Sequence, residues 1–139
     1  MKKNCVMVID DDNYTIELYN MMKEWSENKD HMKIELSAEK ALNEMKELDK
    51  KSPKMFPDYI LLDLRMPEMH GFDFIREFEK SFPQRINKTN IIITTSSIIQ
   101  KEKDEAFKFE SVKEYLVKPI PADYIEKLVT AGLESQTQL

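Results

Sequence analysis

The feature of this sequence that most constrains its fold is the alternation of short apolar runs with segments of helical periodicity. The apolar runs have the length of β-strands, and most are continuous, which is typical of strands covered on both faces. They lie at residues 5–9, 32–36, 59–62, 91–95 and 112–117. Because a helical segment follows each run, the pattern predicts an α/β fold built from repeated strand–helix units.

Apolar side chains between these runs recur at helical spacing and form five stripes. The stripes are Ile16, Tyr19, Met22 and Trp25; Ala38, Ala41, Leu42, Met45 and Leu48; Ile75, Phe78 and Phe82; Ala106 and Phe109; and Ile125, Leu128 and Val129. Ser37 is placed to cap the second helix. This order predicts a five-stranded parallel sheet with helices on both faces, joined by right-handed crossovers.

Length, charge and cysteine content narrow the class of protein. The 139 residues suit one domain, which we expect over residues 1–134, followed by a frayed tail at 135–139. A formal net charge of −5 argues against nucleic acid as the main partner. The single Cys5 lies in an apolar run and is interpreted as a buried structural thiol. No run approaches the length of a membrane span and no signal peptide is evident, so we expect a cytoplasmic protein.

Polar residues follow the ends of the predicted strands. The first strand ends in three aspartates at 10–12, the third in Asp63, the fourth in Thr-Thr-Ser-Ser at 94–97 and the fifth in Lys118. Ligands of an open parallel sheet bind beyond the carboxyl ends of its strands. If the first and third strands are neighbours, Asp10, Asp11 and Asp63 converge on one small space.

Three carboxylates in one space repel each other unless a cation intervenes. Hard oxygen ligands select a hard cation such as Mg²⁺, and one Mg²⁺ together with the Lys118 ammonium would balance the three acids. Each part also has a plainer interpretation. Asp12 is expected to cap the first helix, Asp63 could pair with Arg65, and the Thr-Ser and Lys-Pro sequences are common in turns.

Four segments together resemble a known family. VMVIDDD, YILLDLRMPEMHG, IIITTSS and EYLVKP are similar to the receiver domain of two-component response regulators, and the resemblance covers nearly the whole chain. It implies a flavodoxin-like (βα)5 fold with strand order 2-1-3-4-5. It also implies that the protein catalyses only its own phosphorylation and dephosphorylation, and is not otherwise an enzyme.

Roles for the acidic residues follow from this resemblance by position. Asp63 would be the phosphoacceptor and a Mg²⁺ ligand, and Asp11 would bind Mg²⁺ directly. Asp10 would act on the metal largely through water. The backbone carbonyl of Arg65 would supply a further ligand.

The resemblance also implies a switch. Thr95 would be the switch hydroxyl and Tyr115 the aromatic residue whose rotamer reports the state of Thr95. Lys118 would hold the phosphoryl oxygens, and the Lys118–Pro119 peptide bond would be cis.

The chain departs from the family pattern at several positions. His70 replaces the usual acidic residue before Gly71 and is interpreted as a turn residue. Ser111 replaces a common glycine before the last strand, which leaves the geometry of that loop open. Arg65 and Ser97 occupy positions that tune dephosphorylation, and neither is an acid or amide that could orient water. We therefore expect a long-lived acyl phosphate.

The function expected from the sequence is that of a single-domain response regulator. It would accept a phosphoryl group from a histidine kinase or a histidine phosphotransfer protein and signal by protein–protein interaction, as a monomer or a phosphorylation-dependent homodimer. Ile98, Ile99, Phe107 and Ile120 are candidates for an apolar contact surface or for the core. No direct nucleic-acid or membrane contact is expected.

Two alternatives remain open at this stage. A haloacid-dehalogenase-like phosphatase would use Asp10 as nucleophile with Asp12 beside it, and Thr95 and Lys118 as its later motifs. It would leave Asp63 without a role. An unphosphorylated pseudo-receiver would bind a partner without any group transfer.

Overall fold

The computed structural model describes residues 2–121 and 123–133 and has one five-stranded sheet. The strands are β1 (Val6–Ile9), β2 (Met32–Glu35), β3 (Tyr59–Asp63), β4 (Asn90–Thr95) and β5 (Val112–Val117). All neighbouring pairs are parallel, in the order β2-β1-β3-β4-β5. The predicted α/β fold and its 2-1-3-4-5 strand order are confirmed.

Five α-helices connect or follow these strands. They are α1 (Asn13–Glu24), α2 (Ala38–Lys51), α3 (Gly71–Ser81), α4 (Gln100–Ala106) and α5 (Tyr124–Thr130). Asp12 caps α1 by accepting a hydrogen bond from the Thr15 N–H, and Ser37 caps α2 by accepting one from the Lys40 N–H. Both predicted caps are confirmed.

Alternate residues of the central strands enter two separate cores. Met7, Ile60 and Leu62 contribute to the core that includes α2 and α3, where Phe74 and Phe78 are fully buried. The opposite core is built from strand residues and from residues of α1 and α5. They are Val6, Val8, Tyr19, Met32, Tyr59, Leu61, Ile92, Tyr124, Ile125, Leu128 and Val129. Helices on both faces bury the central strands, as their continuous apolar runs predicted.

The prediction for the first helical stripe is wrong at its last residue. Ile16 and Tyr19 are buried, but Trp25 is 87% exposed at the C-cap of α1. Successive steps of three residues lag behind the helical turn, so the side chain of residue 25 falls about 180° away from that of residue 16. The only tryptophan of the chain therefore lies on the surface.

Two further predictions concern the thiol and the tail. Cys5 is buried, and burial raises the pKa of its thiol, which confirms the structural interpretation. The tail predicted at 135–139 lies outside the described residues. Among the described residues, no helix has the length and apolarity needed to cross a membrane.

Candidate functional site

The carboxyl ends of β1 and β3 bring three aspartates together. The two strands are paired so that Ile9 lies opposite Leu62, and each is followed by an acidic residue. One carboxylate oxygen each from Asp10, Asp11 and Asp63 lies within 4.8 Å of the others. The convergence inferred from the strand ends is therefore present in the structure.

The carboxylate of Asp10 is the most deeply placed of the three. Asp10 is 1% exposed, and its Oδ2 accepts a hydrogen bond of 2.7 Å from the Lys118 ammonium. Its Oδ1 accepts a second bond of 2.9 Å from the Asp12 N–H. Lys118 is farther from Asp63, at 3.8 Å from its Oδ1. The Lys118 ammonium therefore pairs more closely with Asp10 than with Asp63.

Asp63 carries the clearest sign of crowding. Burial, followed by the negative charge of Asp10, raises its pKa from the usual 3.8 to about 6. Lys118, the Arg65 backbone N–H and Asp11 have smaller effects on this pKa, of which only that of Asp11 raises it. Because the ionised form is disfavoured here, a cation bound between the acids would relieve the repulsion.

The three carboxylates fit a hard divalent cation. Asp11 and Asp63 line a cavity of about 560 Å³, whose lining also includes Arg65, Thr95 and Lys118. Hard oxygen donors at a solvent-open edge suit Mg²⁺, which keeps several of its waters. The carboxylate oxygens and the raised pKa of Asp63 are therefore consistent with a site for such an ion.

Thr95 and Lys118, which also line this cavity, are bonded to each other through the backbone. Thr95 is completely buried, and its Oγ1 accepts a 3.1 Å hydrogen bond from the Ser97 N–H. The Lys118 N–H donates to the Thr95 carbonyl at 2.7 Å. The Lys118–Pro119 peptide bond is cis. Thr95 and Lys118 are therefore held beside each other at the ends of β4 and β5.

Arg65 does not pair with the Asp63 side chain through its guanidinium. Its Nη2 donates instead to Glu102 Oε2 on α4, at 2.8 Å. The Tyr115 hydroxyl lies 3.5 Å from the other oxygen of Glu102 and 3.4 Å from the Ser97 carbonyl oxygen. Sequence reasoning missed Glu102, because it is 37 residues from Arg65 and no local pattern links them.

Two of the residues that depart from the family pattern, His70 and Ser111, have structural roles. His70 is the N-cap of α3, where its Nδ1 accepts a 3.0 Å bond from the Phe72 N–H, so it is a turn residue as predicted. Ser111 is fully buried, and both its N–H and its hydroxyl donate to Glu79 Oε2, at 3.0 and 2.7 Å. A carboxylate on α3 thus fixes the loop before β5.

Comparison with known proteins agrees with this geometry. Residues 6–130 match the family described as the response regulator receiver domain. The luminescence regulatory protein LuxO of Vibrio campbellii is 35% identical over 83 residues, which are 60% of this chain and 17% of that protein. The regulatory protein LuxO of Vibrio parahaemolyticus gives the same figures. The matched segment thus spans about one sixth of these relatives.

Solved structures show the same fold. A two-component response regulator from Cytophaga hutchinsonii superposes with a TM-score of 0.73 and 25% identity, covering 92% of this chain and 95% of that one. A CheY-like receiver domain protein from Methanospirillum hungatei superposes with a TM-score of 0.71 and 18% identity, covering 99% and 98%.

The family match has consequences for the class of function. Receiver domains are signalling modules rather than enzymes in the usual sense, they interact with histidine kinases and phosphotransfer proteins, and they typically bind Mg²⁺ at an acidic cluster. The Asp10, Asp11 and Asp63 cluster stands where such a site is expected. With 6–130 matched and this fold and cluster in place, the chain belongs to the response regulator receiver domain family.

Proposed function

We propose that this protein accepts a phosphoryl group on Asp63 and signals through contacts with other proteins. The donor would be a phosphohistidine of a histidine kinase or a phosphotransfer protein. The observation that carries the proposal is the position of Asp63, whose carboxylate lies within 4.8 Å of oxygens of Asp10 and Asp11 and 3.8 Å from the Lys118 ammonium.

In the proposed reaction a carboxylate oxygen of Asp63 attacks the phosphorus atom. A new O–P bond forms while the N–P bond of the phosphohistidine breaks, and the imidazole leaves with the electron pair. With acetyl phosphate as donor, the bond that breaks is O–P and acetate leaves. Such transfers depend on positioning and on neutralising charge on the transferred group, and Lys118 is placed to contribute to both.

Magnesium would be held by Asp10, Asp11 and Asp63 together with the Arg65 backbone carbonyl. When bound, the ion supplies charge neutralisation to the phosphoryl oxygens. The chain itself orients Asp63 at the end of β3, keeps Asp10 hydrogen-bonded to Lys118, and leaves the pocket open to a donor.

Phosphorylation would then act on Thr95 and Tyr115. The acyl phosphate carries nearly two negative charges where the carboxylate carried one. Thr95 lines the same cavity, and its hydroxyl, which accepts a bond from the Ser97 N–H, could turn to donate its own proton to the new oxygens. Tyr115 packs beside Ser97 and would respond to a shift of that loop.

The surface of α1 supports a protein as phosphodonor. Tyr14, Leu18, Met21 and Trp25 are between 44% and 87% exposed, and they line an apolar groove that continues to Pro119 and Ile120. Thr15 and Lys118 line both this groove and the acidic cavity. A donor seated on α1 would therefore lie next to Asp63.

A second apolar surface is the proposed output face. Ile98, Ile99, Phe107 and Val117 are between 44% and 83% exposed, on α4 and its flanks and on β5. Ile120 instead packs against the core of α1 and α5. The first three residues are thus available to a protein partner or to a second copy of the phosphorylated chain.

The phosphatase alternative loses its support. Asp12, its second acid, is committed to the cap of α1, where it accepts bonds from both the N–H and the hydroxyl of Thr15. The family match is to receiver domains. An unphosphorylated pseudo-receiver is the outcome against which the proposal is tested.

The test is intact-mass measurement after incubation with acetyl phosphate and Mg²⁺. We expect a gain of about one phosphoryl group per chain, sensitive to hydroxylamine as acyl phosphates are. Asp63→Asn should abolish the gain. Asp12→Asn is the matched control, because asparagine preserves the helix cap while removing a carboxylate from the rim of the same cavity.

The outcomes separate the candidates. Mass gain in the wild type and in Asp12→Asn but not in Asp63→Asn supports phosphorylation of Asp63. No gain in the folded wild type favours the pseudo-receiver, and catalytic release of phosphate in excess of the protein favours a phosphatase.

A further inference from the structure

The ion pair between Arg65 and Glu102 connects the phosphoacceptor to α4. Arg65 is two residues after Asp63 and is one of the residues that line the acidic cavity. Glu102 lies in the first turn of α4, with a side chain only 15% exposed. One residue thus lines the phosphorylation cavity and is bonded through its guanidinium to the helix of the proposed output face.

We propose that this ion pair is a latch that holds α4 while Asp63 is unphosphorylated and opens when Arg65 turns to the phosphoryl group. This inference rests on the proposed function of Asp63 and adds the regulation of that site.

The charges of the cavity favour such a transfer. Two cationic residues, Lys118 and Arg65, line it, and the Lys118 ammonium is already engaged by Asp10 at 2.7 Å. Phosphorylation raises the charge at Asp63 from one negative charge to nearly two. A guanidinium forms paired hydrogen bonds with phosphate oxygens, so Arg65 has a stronger partner in the cavity after phosphorylation.

The start of α4, where Glu102 lies, is weakly held and can shift when the ion pair breaks. α4 spans only Gln100–Ala106, and Ile99, its N-cap residue, makes no side-chain cap hydrogen bond. Glu102 fixes this weak helix start through Arg65 and also lies 3.5 Å from the Tyr115 hydroxyl. Losing Arg65 would leave the largely buried Glu102 carboxylate without its cation, which disfavours its present position.

The strength of the latch suits a switch. Arg65 is 58% exposed, and pairs of this kind shift an equilibrium by about two- to fivefold. A restraint of this size is sufficient to bias α4 and small enough for the added phosphoryl charge to overcome.

The test combines hydrogen exchange with intact mass on the full chain, before and after treatment with acetyl phosphate and Mg²⁺. In unphosphorylated Glu102→Gln, amide exchange over residues 97–103 should be faster than in the wild type by about two- to fivefold. Phosphorylation should cause a similar increase in the wild type and little further increase in the variant. Glu105→Gln is the control, since it breaks the exposed pair between Glu105 on α4 and Lys108 just after the helix and leaves Arg65 and Glu102 unchanged.

A second measurement distinguishes a latch from a merely structural contact. At limiting acetyl phosphate, Glu102→Gln should raise the phosphorylated fraction, because Arg65 is already free, whereas Arg65→Met, which removes the guanidinium without adding an amide, should lower it. Both variants remove the same ion pair, so equal effects of the same sign would overturn the latch.

The remaining outcomes are equally decisive. A normal gain of phosphoryl mass with unchanged exchange in Glu102→Gln overturns the latch alone. A wild type that gains no phosphoryl mass overturns the proposed function and the switching step with it.

Discussion

The position of Asp63 beside other acids lowers the stability of the folded protein at neutral pH. Its pKa is raised to about 6 by burial and by Asp10, so the folded state binds the Asp63 proton more tightly than the unfolded chain does. Stability from this group is therefore present below the unfolded pKa and decreases as the pH rises through the interval up to about 6. Above that interval the ionised carboxylate is a net liability unless a cation is bound.

We predict that Asp63→Asn increases the free energy of unfolding by about 1–3 kcal/mol at pH 7.5 in EDTA. The difference should shrink towards pH about 3.5, where the wild-type carboxyl is protonated. Urea unfolding at a series of pH values measures it, and Mg²⁺ should narrow it by stabilising the wild type.

Asp73→Asn serves as the control for this stability measurement. Asp73 is 63% exposed and forms an exposed ion pair with Arg76 on the surface of α3, so its replacement should change stability by less than about 0.5 kcal/mol. A lower stability of Asp63→Asn at pH 7.5 in EDTA would contradict the crowding of the three acids.

At the scale of elements, the start of α3 depends on a close approach to the loop after β3. A Cβ on Gly71 would lie 2.6 Å from Leu64 Cδ2 and 2.8 Å from Leu64 Cα. We predict that Gly71→Ala lowers the free energy of unfolding by about 1–3 kcal/mol. Helix propensity alone would give the opposite sign, since alanine favours a helix over glycine.

Chemical denaturation distinguishes these two effects on α3. The exposed Lys80→Ala on the same helix should change stability by less than about 0.5 kcal/mol and serves as control. A more stable Gly71→Ala would show that the loop carrying Arg65 has room to move.

The exposed face of α1 gives a prediction about donors. Trp25→Ala and Leu18→Ala should slow phosphotransfer from a phosphorylated histidine kinase or phosphotransfer protein by about tenfold, because each removes apolar contact area. Neither should change phosphorylation by acetyl phosphate, which needs no docking surface. Timed intact-mass measurements with both donors separate the two effects.

The apolar control for docking is Phe107→Ala, on the proposed output face and 45% exposed. It should leave both phosphorylation rates unchanged. Equal slowing with acetyl phosphate in the α1 variants would indicate damage to the acidic cavity rather than lost docking.

At the scale of the whole molecule, the sequence predicts the α/β fold from hydrophobic periodicity and the grouping of the acids from the polar residues at the strand ends. Continuous apolar runs identify the strands, and an open parallel sheet brings the ends of β1 and β3 together, so Asp10, Asp11 and Asp63 could be grouped in advance. The strand order came from the family resemblance, because alternation alone permits several orders.

The features that were missed depend on side-chain direction and distant contacts. Trp25 was assigned to a buried stripe because steps of three residues drift around a helix, whereas the structure exposes it. The Arg65–Glu102 pair joins a loop to a helix, and the sequence contains many acids that could have paired with Arg65. The exposure of Trp25 and the partner of Arg65 depend on how the helices and loops pack in the folded molecule, which a local sequence pattern does not encode.

The most direct test of the central claim is to locate the phosphoryl group itself. Borohydride converts an acyl phosphate to an alcohol, so tandem mass spectrometry of the protein treated with acetyl phosphate and Mg²⁺ and then reduced identifies the acceptor. We predict a homoserine at position 63 that is absent when Mg²⁺ is replaced by EDTA. A homoserine at position 10, 11 or 12, or none at any position, would contradict the claim.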